Sequence, residues 1–171
     1  MVSKYDVLAL LPPYNDQWEL VKENQYVRDI VREILESQSR YGKYYDRFSW
    51  LFLSDSVDTI ANELYAFCKR WIKYREESKY EQTAALPTGI LTRGVGDCKH
   101  YALFTGGVLG SLNRLYSLGL KWCYCFAAYR GEDEPYHVFV SLYDPETDCE
   151  IWIDPTPGAG GNPTLLIKRY V

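Results

Sequence analysis

Histidine is scarce in this chain. His100 and His137 are the two present in 171 residues, so any imidazole chemistry falls to one of them. Long apolar runs are missing as well. No stretch approaches the ~18 consecutive apolar residues that a membrane span needs, and no membrane partner is expected. Basic stripes are absent and the net charge is −4, which argues against nucleic acid as a partner. The early Asp6 and the lack of a small-residue cleavage site do not fit a signal peptide. The five cysteines, at 68, 98, 123, 125 and 149, are an odd number. Reduced thiols in a cytoplasmic protein fit that count better than a disulfide framework.

Aromatic residues are abundant, with 16 Tyr and 5 Trp. Many tyrosines suit amphipathic walls around a cleft or at a partner surface. The length fits a single domain over residues 1–171. A chain of this size buries about two thirds of the surface its unfolded form exposes.

Residues 1–17 read as an extended lead ending in Pro12-Pro13, with Val7, Leu8, Leu10 and Leu11 packed on the domain. Asp16 is a candidate cap for an amphipathic helix over 17–39, where Leu20, Val21, Val27, Ile30, Val31, Ile34 and Leu35 recur at helical spacing. Residues 40–54 are Tyr-rich and read as a packed connection. A second helix begins after Ser54 or Asp55, and its apolar face runs Val57, Ile60, Ala61, Leu64, Phe67, Cys68, Trp71 and Ile72. Residues 81–93, punctuated by Pro87 and Gly89, read as a loop. A third helix over about 98–117 is apolar nearly all round at its start, as a central buried helix is. Gly106, Gly107 and Gly110 in it point to close packing by a neighbour. After Gly119 the period changes to 2, and strands are expected at 120–130, 136–143 and 150–154. Helices followed by antiparallel strands define an α+β domain.

The chain turns on Gly94-Val95-Gly96-Asp97-Cys98. Asp97 is a fitting N-cap for the third helix and places Cys98 in its first turn. Helix N-terminal N–H groups lack intrahelical partners and carry partial positive charge, which stabilises a thiolate there. Cys68, by contrast, lies on an apolar helix face and reads as structural.

His137 heads a run in which Val138, Val140 and Leu142 line one face and His137, Phe139 and Ser141 the other. In the next strand Ile151 and Ile153 share a face, with Trp152 and Asp154 on the opposite one. Asp144-Pro145 suits the start of a type I turn. A loop of residues 144–147 pairs position 143 with 148 and sets His137 directly opposite Asp154. The aspartate then orients the imidazole, and the three residues form the parts of nucleophilic catalysis.

Gly-Asp-Cys opening a helix, His-Val-Phe-Val on a strand and Trp-Ile-Asp-Pro-Thr on the next resemble the core of the transglutaminase-like superfamily, over about residues 80–157. The helical part, 1–79, is not well matched to it. The resemblance implies a papain-like cysteine site, with Cys98 as nucleophile, His137 as general base and acid, and Asp154 as orienting residue. It also implies an antiparallel sheet packed on the Cys98 helix. Lys99 and His100 depart from the acidic residues that many bacterial members carry after the cysteine.

The backbone N–H of Cys98 is the natural first oxyanion donor, Gln82 is a candidate second, and Trp152 or Trp122 can wall the cleft. Zinc held by Cys123-x-Cys125 with Cys98, His100 or Cys149 was weighed, but the usual two-residue spacer is missing, and no metal or cofactor is expected. The resulting expectation is acyl transfer at an amide of a protein or peptide substrate. The enzyme is a peptidase or amidase if water resolves the thioester, and a cross-linker if an amine does. The alternative is a catalytically silent fold used for binding or assembly. The oligomeric state is not legible.

Overall fold

Residues 1–14, 18–21, 27–78, 82–128, 135–158 and 164–170 are described here, from a computed structural model. The expected extended lead is instead a short helix, α1 (Lys4–Leu10). Ser3 and Asp6 form a capping box: the Ser3 hydroxyl accepts from the Tyr5 N–H and Asp6 accepts from the Ser3 N–H. Val7 and Leu11 are buried and Leu8 packs against the core as expected, whereas Leu10 is exposed. The segment read as the start of the first long helix is a strand, β1 (Trp18–Val21), and the helix itself is α2 (Val27–Tyr45). The expected cap, Asp16, lies outside the described residues.

Helix α2 runs on past the expected position 39 because tertiary packing outweighs the poor propensity of Gly42 and the tyrosines. Gln38 and Tyr45 face inward, and Gln38 bonds both the Gly106 carbonyl and the Tyr124 hydroxyl, at 3.2 and 3.1 Å. A 3-10 turn at Ser49–Phe52 follows, and Tyr45, Phe48 and Phe52 close around Phe104. The aromatic segment is thus a packed connection. Helix α3 (Val57–Trp71) is capped by Ser56, one or two residues later than expected, through the Thr59 N–H at 3.2 Å. Its anticipated face is buried at Ile60, Ala61, Leu64, Phe67 and Cys68. Burial pushes the Cys68 thiol up to about 12, against a weak contact to Thr105.

The expected loop at 81–93 carries regular structure. Strand β2 (Lys73–Tyr74) is followed by β3 (Gln82–Ala85), α4 (Pro87–Arg93) and β4 (Val95–Gly96). Pro87 occupies the first helical turn, where its missing N–H costs nothing, and Gly94 at φ 62° closes the helix in the left-handed region. β3 pairs antiparallel with β1, and β2 pairs parallel with β4. These short pairings bring residues 73–77 beside the start of α5 (Cys98–Tyr116).

Helix α5 is buried along its first three turns. A Cβ at Gly106 would lie 2.2 Å from the Tyr124 hydroxyl, and one at Gly107 would lie 2.3 Å from the Tyr45 ring. Both glycines are therefore close-packing positions, as the sequence suggested. The sheet against which α5 packs has the order β7-β6-β5-β8, built from β5 (Trp122–Ala128), β6 (His137–Asp144), β7 (Cys149–Ile153) and β8 (Thr164–Tyr170), all neighbours antiparallel. β8 had no counterpart in the sequence reading. Tyr124, Phe126, Val138, Val140, Leu142 and Ile153 join α5 in the main core. Cys123, Cys125, Ala127 and Phe139 form a smaller cluster on the other face. The architecture is α+β.

The β6–β7 register differs from the expected one by two residues. Asp144 pairs with Cys149 and Val140 with Ile153, so the connecting loop is 145–148 rather than 144–147. The Asp144 carboxylate accepts from the Glu146 N–H and the Thr147 hydroxyl, and Asp148 takes a left-handed conformation at φ 55°. Asp148 closes the turn at a position where aspartate tolerates that geometry. A shift of two preserves the faces, because side chains alternate with period 2.

Candidate active site

Cys98 is the first residue of α5, with Asp97 as its N-cap. The Asp97 carboxylate accepts from the Lys99 N–H at 3.0 Å and forms an ion pair with the Lys99 ammonium. His100 Nδ1 lies 2.9 Å from Asp97 Oδ1. All three side chains are buried. Burial alone raises the Asp97 pKa, but the hydrogen bond from His100 and the Lys99 charge outweigh it and hold the carboxyl well below its usual range. Lys99 shows the converse: burial lowers its pKa, and the charges of Asp97, Cys98 and Glu77 carry it above the ordinary value.

Glu77 extends this network, with Oε2 at 3.5 Å from the Lys99 ammonium and accepting from the Thr83 N–H at 2.6 Å. The start of β3 is thus tied to the N-terminus of α5. His100 is fully buried here, with Nε2 at 3.4 Å from the Thr83 hydroxyl. It holds the helix start rather than facing the cleft.

His137 begins β6 and carries the second half of the site. Its Nε2 lies 2.6 Å from Asp154 Oδ2, and its ring lines the same cavity as Cys98. The structure thus brings the three residues expected to act together to one site. The corrected register makes the His137–Asp154 pair diagonal instead of directly opposite. Diagonal neighbours in an antiparallel pair remain within reach of long side chains. Asp154 is itself steadied by the Thr156 N–H at 3.2 Å. Burial pulls the His137 pKa down, but the hydrogen bonds to Asp154 and Cys98 and their charges lift it to about 9.

A cavity of about 240 Å³ opens beside Cys98 and His137. Ile30, Phe126, Pro135 and Val138 give it apolar walls, and Tyr74, Tyr136, Glu76 and Gln82 line its rim. Gln82 is thus at the site, with its Nε2 donated to the Ser78 carbonyl at 3.0 Å. Trp152 does not line this cavity. It stands half-exposed and packs on Phe139, 5.0 Å between ring centres. Trp122 lies at the far end of β5 and also does not line it.

The residues weighed for zinc do not converge. Cys123 and Cys125 face each other at 3.8 Å within the outer cluster, and Cys149 is exposed at the start of β7. Among the described residues, the group with metal-ligating side chains in range is Glu77, Asp97 and His100. The Lys99 ammonium already supplies a cation to its two carboxylates. Sequence reasoning passed over Glu77 and Tyr74. Their signal was the charged stretch that begins at Lys73, of which residues 73–77 are set beside α5 by the β2–β4 pairing.

Among the described residues no helix is long and apolar enough to cross a membrane. Compared with protein-family models and with curated proteins, the chain matches none.

Proposed function

We propose that this protein catalyses thiol-dependent acyl transfer at an amide bond, acting as a cysteine peptidase or amidase with Cys98, His137 and Asp154 as its triad. The observation that carries the reading is the double engagement of His137. Its Nε2 meets Asp154 at 2.6 Å while its ring shares an open cavity with Cys98, whose sulfur helps to raise its pKa. With Nε2 taken by the carboxylate, Nδ1 is the nitrogen that serves the sulfur. The transglutaminase-like resemblance over residues 80–157 supports the same assignment.

Cys98 Sγ attacks the substrate carbonyl carbon, and the proton it gives up resides on His137. The oxyanion that forms faces the Cys98 N–H, which helix geometry leaves without an intrahelical partner. Collapse breaks the C–N bond, and the His137 proton passes to the departing amine. Water then attacks the thioester, His137 takes its proton, and the carboxylic acid leaves as sulfur departs. Throughout, Asp154 fixes the ring orientation and stabilises the imidazolium. An amine in place of water turns the same cycle into cross-linking.

Thiol-selective labelling tests the reading. Exposure alone orders the thiols with Cys149 first, since Cys98 is only 9% exposed and the rest are buried. An activated Cys98 instead reacts with iodoacetamide ahead of Cys149, and loses that lead in His137→Ala. Labelling that simply follows exposure sinks the proposal. Peptide-library profiling of wild type against Cys98→Ala then identifies the amide cleaved, and added primary amine reveals any transfer.

A further inference from the structure

At the opposite end of β5 from His137, a second cavity of about 420 Å³ lies between α2 and α5. Lys43, Asn113, Arg114 and Trp122 line it, with Gly42 and Gly110 leaving room at its walls. Trp122 is 3% exposed, and its indole Nε1 is a buried donor without a partner. Native interiors rarely leave such a group unpaired, so each instance calls for an occupant or a reason. A Cβ at Gly110 would lie 3.5 Å from Trp122 Cζ2. Cζ2 is on the nitrogen-bearing edge of the indole, so that edge is the one turned toward Gly110, itself a lining residue of the cavity.

The polar groups around this donor are already committed. Gln38 is spent on Gly106 and Tyr124, and Asn113 binds both the N–H and the carbonyl of Leu120. Arg114 is braced by the Gly42 carbonyl and by Asp46, which also accepts from Ser111. Asp46 offsets one positive charge. Lys43 is exposed and has no carboxylate partner among the described residues, so the cavity keeps one uncompensated cation. An unpaired N–H, a free ammonium and a fixed guanidinium form a set of donors without a matching acceptor.

We infer that this cavity binds a small ligand through an oxyanion, a phosphoryl or carboxylate group that accepts from Trp122 Nε1–H and is held by Lys43 and Arg114. Charge-assisted hydrogen bonds of this kind are stronger than neutral ones. The site is separate from Cys98 and does not depend on the chemistry proposed there.

The test follows the Trp122 indole N–H resonance in ¹⁵N-labelled protein, assigned with Trp122→Phe. The probes are inorganic phosphate, phenyl phosphate, acetate and benzoate at constant ionic strength. The expected result is a saturable downfield shift of the Trp122 N–H with at least one probe. Lys43→Glu, at an exposed position that leaves the fold intact, weakens that binding by about tenfold or more. Saturation by phosphates alone or by carboxylates alone identifies the group and supports the site either way. A Trp122 resonance that no probe moves, and that exchanges only with water, overturns the inference. So does a shift that persists unchanged in Lys43→Glu.

Discussion

Removing the Asp154 charge tests the site's electrostatics most directly. Asp154→Asn keeps the size of the side chain and abolishes the carboxylate that meets His137 Nε2 at 2.6 Å. In the folded protein the His137 pKa stands at about 9 against an ordinary 6.5. That gap corresponds to roughly 3 kcal/mol of net preference for the imidazolium, which Asp154 and Cys98 supply after offsetting the burial that opposes it, so halving it gives a lower bound for each. If each supplies about half, Asp154→Asn brings the titration down by roughly one pH unit and removes on the order of 1–2 kcal/mol of imidazolium stabilisation. The scarcity of histidine helps the assay: a proton or ¹³C titration shows two imidazoles, and His137→Gln identifies one of them. In wild type the His137 signal titrates near pH 9, and in Asp154→Asn clearly lower. Stability changes in the same direction. Below pH 6.5 both folded and unfolded imidazoles are charged and the stabilisation is complete. It is then lost as pH rises from 6.5 through 9. A wild-type signal near 6.5, or one that Asp154→Asn leaves in place, refutes the reasoning.

Two further substitutions probe how α5 is held. Gly106→Ala drives a methyl into the Tyr124 hydroxyl, 2.2 Å away, and should cost about 1–3 kcal/mol in chemical denaturation. Adding Tyr124→Phe to it removes the obstructing oxygen and should restore part of that loss. Lys99→Ala leaves the buried Asp97 carboxylate and the part-buried Glu77 carboxylate without their cation. It should destabilise the fold by about 3–5 kcal/mol, with the largest loss at neutral pH and a smaller one in acid, where the carboxyls protonate.

The long elements and the residues gathered at the cavity were legible in the sequence, and the short pieces were not. Periodic apolar residues marked α3 and α5 because each buries a broad face on the core. Cys98, His137 and Asp154 were legible because helix capping and strand alternation are local rules. The β6–β7 register was misjudged by two because Asp148, not a glycine, closes the turn at positive φ. The faces survived that error, since parity decides which side a residue occupies. α1 was not legible from periodicity because its seven residues bury only Val7, which leaves the Ser3–Asp6 capping pair as its local signature. β1, β3 and α4 were hidden because strands of four residues and a helix of seven form through partners distant in sequence. The Gln82 side chain could be placed near the cysteine, but not its bond to Ser78, which depends on that unforeseen pairing.

The sulfur stands on a helix while the imidazole and carboxylate stand on the sheet, and the two halves come from separate stretches of chain. Forming either half costs little loop entropy, since α5 is local and His137 and Asp154 belong to neighbouring strands. Joining them waits for the sheet to dock on α5, with Tyr124 seated against Gly106. The site proposed at Cys98 is therefore complete only when helix and sheet are docked, and any loosening of that one interface separates the sulfur from its imidazole.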